Sequence, residues 1–500
     1  MSTSPDRRAF LQSSAAAGGL AFLSGLPVVT AADAKVDPAL VRVEPEIEPL
    51  VRLIEDAPRE KLLEEVAARI KKGTSYREVL AGLLLAGVRN VQPRPVGFKF
   101  HAVLVVNAAH QAALAGPDQE RWLPLFWALD NFKGAQAQNQ KEGGWRMKPA
   151  DVGRVPTPLK AREAFTTAMD EWDVEAADAA VVGLLRTSTP GELFDLFARY
   201  GSRDFRDIGH KIIFVSGAFR ALEVIGWQHA EPVLRSLAYA LLHHDGKNPA
   251  KDDLEPDRPG RKNAGRVNKA GARTGANGSG ADPTGAILKA LRTGSADDLG
   301  AEVANRVGAG AAQGAAWDGL LLGAGELLMR QPGIVGLHTL TTMNAMRYAH
   351  RTTGDAELRA FLLLQAASFL PMFRDAMKGR GKLGDLKIDE LAGRDRDPAF
   401  TVNDVYDELS RNKELAAQTA LTVLRADPSK AKDLVDEGRR LIFLKGTDSH
   451  DYKFSSAVME DAALIAPEWR DRFLAASVFW LKGAGTPDSP LVKRTRAALA

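Results

Sequence analysis

The sequence predicts an all-α fold, an irregular multi-helix bundle with essentially no sheet. Three observations carry that expectation. Apolar residues recur at 3.6-residue spacing through segment after segment, and few stretches alternate with period two. Aromatic residues make up only 7% of the chain while hydrophobic residues reach 45%, so most of the apolar content is aliphatic, rich in Ala and Leu, which favour helix. No motif returns at a fixed period, which argues against a tandem-repeat solenoid. At 500 residues the chain is roughly three times the usual ~150 per domain, long enough to bury a large core.

The helices are expected in this order. Residues Ala57–Ile70 come first, with Pro58 in the opening turn, where its missing N–H costs nothing. Ser75–Gly87 follows, with Thr74 or Ser75 as the N-cap. Phe100–Ala115 is almost wholly apolar and reads as a buried central helix. Leu123–Gln138, Ala161–Leu185, Pro190–Tyr200, His210–Ile225 and Pro232–His243 continue the series. Ala286–Leu291, Ala311–Arg330, Leu337–Thr352 and Ala356–Met377 come next. Ser410–Leu424, Ser429–Phe443, Ser455–Leu464 and Glu468–Trp480 complete it.

Two stretches break the pattern. Residues 245–285 hold 8 basic and 6 acidic side chains and almost no large apolar one. Such a composition does not build a core and predicts a mobile insertion. His243 and His244 stand at its entrance, which gives it the placement of a lid. A second polar break runs from Gly379 to Pro398. The expected organisation is a cleaved leader over 1–34, a main helical domain over 35–378 with the insertion at 245–285, and a C-terminal helical portion over 399–500 packed on it.

The leader expectation rests on Arg7-Arg8 followed by Phe10-Leu11, a weakly apolar run from Ser13 to Val29, and Ala32-Asp33-Ala34 as a small-x-small cleavage site. These resemble a bacterial twin-arginine export signal. Gly18, Gly19, Gly25 and Pro27 leave the apolar part too soft for a stable span. No later stretch approaches ~18 uninterrupted apolar residues, so the mature chain is not expected to span a membrane. The expected location is periplasmic or secreted, reached folded through the twin-arginine export machinery. That route is often used when a cofactor must be inserted before export.

Charge and cysteine content exclude several classes. With 66 basic and 63 acidic residues and a net charge of +3, the chain lacks the basic excess that nucleic-acid binding requires. It has no cysteine, which rules out disulfides, thiolate zinc sites, iron–sulfur clusters and cysteine nucleophiles. No HExxH, GxSxG or phosphate-loop motif occurs. The soft-nitrogen inventory is nine histidines. Three of them, His101, His210 and His338, open long apolar helical segments. One buried imidazole is usually a hydrogen-bonded core residue. Three at separate helix starts also suit convergence on a metal. His110 lies nine residues after His101 and half a turn round the same helix, so both cannot face one centre.

Four short segments in order resemble the questin oxidase-like family, helical proteins associated with oxidation of fungal anthraquinones. They are Phe100-His101-Ala102-Val103-Leu104 through Ala115-Gly116, His210-Lys211-Ile212-Ile213-Phe214 through Leu222-Glu223, His338-Thr339-Leu340-Thr341-Thr342, and Asp448-Ser449-His450-Asp451-Tyr452-Lys453. The resemblance implies a mononuclear non-haem iron site acting with dioxygen, with His101, His210, His338 and His450 as metal ligands. Other divalent metals also suit neutral imidazoles. Lys453 is implied as a carbamylated ligand or an acid–base group. The chain departs from the family at Phe214, where a second histidine is expected, and in the 245–285 insertion.

The resulting expectation is an exported metal-dependent oxidoreductase, an iron oxygenase acting on an aromatic or other apolar small molecule. The alternatives are a non-catalytic exported all-α binding protein, whose histidines only satisfy core hydrogen bonds, and a helical protein holding haem on one axial histidine.

Overall fold

A computed structural model describes residues 40–271, 281–395 and 399–500, position 42 apart. The proposed leader at 1–34 lies outside the described residues. Among them are 23 α-helices and no strand, as the 3.6-residue periodicity predicts.

In chain order the helices are α1 (Glu48–Asp56), α2 (Arg59–Lys71), α3 (Tyr76–Asn90), α4 (His101–Ala115), α5 (Leu123–Lys141), α6 (Ala161–Glu171), α7 (Val174–Leu185) and α8 (Pro190–Gly201). Next are α9 (His210–Ile225), α10 (Ala230–Leu241), α11 (Arg258–Ala264), α12 (Val267–Gly271), α13 (Thr284–Thr293), α14 (Ala296–Gly308) and α15 (Gln313–Arg330). The last are α16 (Ile334–Thr352), α17 (Ala356–Lys378), α18 (Val402–Leu409), α19 (Lys413–Ala426), α20 (Lys430–Lys445), α21 (Ser449–Ala462), α22 (Pro467–Ser477) and α23 (Pro490–Leu499).

At the centre, α4, α9, α16 and α21 close a ring. The contacts run α4 to α9, α9 to α16, α16 to α21 and α21 back to α4. These helices bury residues around most of their circumference. In α4 Ala102–Val106 are all buried, and in α16 Val335–Met343 are all buried. That explains why α4 reads as continuously apolar rather than as one stripe. Helix α17 is long and apolar enough to cross a bilayer by length and composition, but 78% of its most apolar window is buried inside the protein. It is a core helix, packed on α14 and α16.

Three expectations need correction. The segment expected as one helix from Ala161 to Leu185 is two. Trp172 turns into the left-handed region at φ 62° and Asp173 caps α7 through the Ala176 N–H. The break is held by Arg203, whose guanidinium lies 3.8 Å from the Trp172 ring centroid. The described part of the 245–285 insertion is folded, containing α11 and α12. Its order comes from polar contacts rather than apolar area. The Nδ2 of the fully buried Asn263 shares its two hydrogens among the Leu364 carbonyl, Gln365 Oε1 and Ser368 Oγ, at 3.1, 2.9 and 2.9 Å. Arg206 pairs both guanidinium nitrogens with Asp257 at 2.7 Å. Gly260 sits so close to the Arg203 carbonyl that a Cβ there would meet it at 2.3 Å. Residues 272–280 of the insertion lie outside the described residues. His229, expected in an exposed turn, does occupy a turn between α9 and α10 but is buried.

The second polar break at 379–398 carries no helix among its described residues. It is nonetheless pinned: Ile388 is buried and its N–H donates to the Glu326 carboxylate. Beyond it, α21 returns to the central ring and packs on α4 and α16.

Candidate metal centre

The four central helices enter one pocket by their N-terminal ends. His101 and His210 are the first residues of α4 and α9, His450 is the second of α21, and His338 lies one turn into α16. The fold brings all four imidazoles together, although each is more than a hundred residues from the next in sequence. One ring nitrogen of each lies within 4.8 Å of those of the others, slightly looser than the about 4 Å expected of bound ligands. The Nε2 atoms of His101 and His210 are 3.0 Å apart, and those of His210 and His338 are 2.9 Å apart. His210, His338 and His450 are buried and His101 is half-buried.

The other ring nitrogen of each histidine is engaged. His101 Nδ1–H donates to the Phe98 carbonyl at 2.8 Å, His210 Nδ1–H to the Asp207 carbonyl at 2.5 Å, and His338 Nδ1–H to the Ile334 carbonyl at 2.6 Å. His450 Nδ1–H donates to the Asp448 carboxylate at 2.5 Å. Carbonyl oxygens only accept, so each Nδ1 carries the proton and each Nε2 presents a bare lone pair. Burial, with Lys453 and the neighbouring rings, holds His101, His210 and His338 well below the ordinary histidine range. Burial also lowers His450, against the pull of Asp448.

Two acceptor nitrogens 3 Å apart with no proton between them repel. A cation among them turns that repulsion into ligation. Two ligands about 2.1 Å from one ion at a right angle lie about 3.0 Å apart, which the two short pairs match. Imidazoles fixed by carbonyl or carboxylate acceptors are the usual second layer of a metal site. The donor set therefore suits a metal ion, and these four histidines can hold one.

The local chain is bent to make this arrangement. Four non-glycine residues have positive φ among the described residues, and three of them lie two or three residues before a site histidine: Phe98 (46°), Asp207 (52°) and Ile208 (45°). A β-branched residue in that region is strained. The strain directs the Phe98 and Asp207 carbonyls back onto the following imidazoles. Gly209, at φ 80°, cannot be replaced without collision, because a Cβ there would lie 2.1 Å from Thr342 Oγ1. Gly97, at φ 133°, leaves its open side to His210 and His101, whose ring carbons would be 3.3 and 3.5 Å from a Cβ.

Lys453, one turn after His450 on α21, is 4% exposed and its Nζ has no hydrogen-bond partner. Burial brings its amine down to about 7. Its charge is felt at all four histidines. The four imidazoles line a cavity of about 700 Å³, walled by α4, α5 and the segments before α9, α16 and α21. His110 points away, as its half-turn offset requires, and lies against Tyr76. Phe214 packs edge-on against Phe100 in the core.

Sequence reasoning missed the parts that hold the ligands: the carbonyls of Phe98, Asp207 and Ile334, and the Asp448 carboxylate. Only Asp448 had a readable signal. It is the N-cap of α21, with a capping box to Asp451, and the same oxygen that caps the helix accepts from His450.

Comparison with known proteins returns nothing: no family model, curated protein or solved structure matches this chain. The four-histidine geometry has to carry the functional reading.

Proposed function

We propose that this protein is a metal-dependent oxidoreductase whose metal is held by His101, His210, His338 and His450. We further propose non-haem iron as the metal and an aromatic or other apolar small molecule as substrate, in the manner of the questin oxidase-like proteins it resembles. The single observation that carries this reading is four Nδ1-protonated imidazoles aiming bare Nε2 atoms at one point beside a 700 Å³ cavity. Iron so held supplies redox chemistry with dioxygen.

The chain's own residues have defined tasks in this proposal. The carbonyls of Phe98, Asp207 and Ile334 keep three rings in one tautomer, so no proton competes for Nε2. Asp448 does the same for His450 and adds negative charge beside the ion. Lys453, with its amine near 7, can hold or give up a proton at Nζ at neutral pH. Val96, Phe98, Ile208 and Ile334 give the cavity an apolar part against which a ring can lie. Four imidazoles in mutual contact leave no flat slot for a porphyrin, which favours a bare ion over haem. A folded route of export through the twin-arginine machinery to the periplasm fits a protein loaded with metal before it leaves the cytoplasm.

Metal analysis of protein purified after native export tests the proposal. About one iron per chain, lost on chelation and regained with oxygen consumption on adding Fe²⁺ and an aromatic substrate panel, is the expected result. A stable, folded protein that neither carries nor takes up a divalent metal would overturn it.

A further inference from the structure

The cavity beside the four histidines contains several charged side chains, and all but one are engaged by a partner side chain. Arg59 is paired with Asp130 through both guanidinium branches, at 3.0 and 2.6 Å. Lys99 donates to Glu142 at 2.5 Å. Asp207 accepts from His243 and Asp448 from His450. Arg380 is different. It lines the cavity and is exposed, and among the described residues its guanidinium makes no hydrogen bond or ion pair.

Arg380 is not on a loose loop. Its own N–H donates to the Met377 carbonyl at 2.9 Å. The following residues are tied down from the end of α15: Gly384 N–H donates to the Arg330 carbonyl at 2.7 Å, and Arg330 Nε donates back to the Gly384 carbonyl at 2.8 Å. Gln331 adds a bond to the Met377 carbonyl.

The same rim carries two of the few large apolar side chains left in water. Phe98 is 75% exposed and Ile334 is 39% exposed, and both line the cavity. Exposed apolar residues at the mouth of a concave pocket mark a ligand surface. Four helix N-termini also converge here, each carrying partial positive charge. Arg380 is the cation of the lining that has no partner among the described residues, and its planar fork fits a carboxylate.

We propose that the ligand of this cavity is an amphipathic organic anion, with an aromatic or branched apolar body against Phe98 and Ile334 and a carboxylate or similar anionic group on Arg380. This rests on the cavity being the substrate site of the proposed enzyme, and it adds the charge of the substrate.

Two probes that share a ring and differ in charge test it: 2-naphthoate and the uncharged 2-naphthalenemethanol, titrated calorimetrically into the full chain and into Arg380→Gln. Metal content is measured on the same preparations. Naphthoate is expected to bind about tenfold more tightly than the alcohol, the scale of one charge-assisted hydrogen bond. In Arg380→Gln that preference should vanish while binding of the alcohol is unchanged. Added salt should weaken naphthoate alone. Equal binding of the two probes, binding of neither, or a preference retained in Arg380→Gln would each overturn the inference. Folded protein that takes up no divalent metal yet keeps the preference would sink the metal reading and leave the anion site standing.

Discussion

Lys453→Met is the most informative single substitution, because it separates the energetics of the site from its ligands. The Lys453 amine is buried without a hydrogen-bond partner, and Met has nearly its length without the charge. Lowering a lysine amine from 10.5 to about 7 corresponds, at 1.36 kcal/mol per pH unit, to about 5 kcal/mol of unfavourable burial. A depressed amine contributes stability only above its unfolded value, and that contribution is lost as pH falls toward the folded one. Between about pH 7 and 10.5, then, the unfolded chain binds a proton that the folded amine does not, and stability rises with pH by about 1.4 kcal/mol per unit. Urea unfolding of metal-free protein at pH 7, 8 and 9 reads this directly. Lys453→Met is expected to be several kcal/mol more stable than the parent at pH 7, with the gap closing by about 1.4 kcal/mol per unit up to pH 9. Lys211, also lowered by burial to about 8, is present in both proteins and cancels in the comparison. A variant less stable than the parent, or a gap that does not change with pH, would show that Lys453 is already satisfied by a partner and remains charged.

His210→Ala and His338→Ala are each expected to reduce bound metal at least about tenfold; full occupancy in folded variants, by elemental analysis, would refute the cluster as a metal site. His229→Ala should keep its metal but lose stability, since that ring is buried away from the cavity. Metal-free protein should lose stability as pH falls below about 6.5, because the four site histidines stay neutral in the fold and charge freely when unfolded, each contributing about 1.4 kcal/mol per unit. Asp461 and Asp318, raised by burial to about 7 and about 6, act in the opposite sense and offset part of that slope; a flat acid limb would contradict the histidine assignment. Asn263→Ala should cost about 1–3 kcal/mol and expose residues 254–270 to protease, a stretch expected to resist nicking in the parent.

Much of the helical order was legible because burial here is expressed as 3.6-residue periodicity, and the misses have identifiable physics. Ala296–Gly308 was overlooked although Ser295 and Asp298 spell a capping box, a local signal weaker than the polar run before it. The Trp172 break depends on Arg203 arriving from a distant part of the chain, which no local pattern records. The insertion was misjudged because apolar content was taken as the measure of order. Asn263 shows that one buried amide with three acceptors can anchor a polar segment. His229 was misjudged for a related reason: a turn by sequence need not lie at the surface when two buried helices meet there.

The site divides along the same line. The imidazoles were visible as histidines at the starts of apolar helices, since a polar ring in such company needs a partner. What makes four neutral rings into a ligand set was invisible, because it lies in backbone oxygens and in φ angles. Phe98, Asp207 and Ile208 are strained only to bring two carbonyls under two Nδ1–H groups. His338 needs no such strain, because a residue one turn into a helix finds the Ile334 carbonyl of its own first turn. His450 borrows the carboxylate that caps its helix. Three different local solutions therefore yield the same product, a bare Nε2 at a helix N-terminal end. The closed ring of α4, α9, α16 and α21 then has only to bring four helix starts to one place, which is why histidines so far apart in sequence can serve one centre.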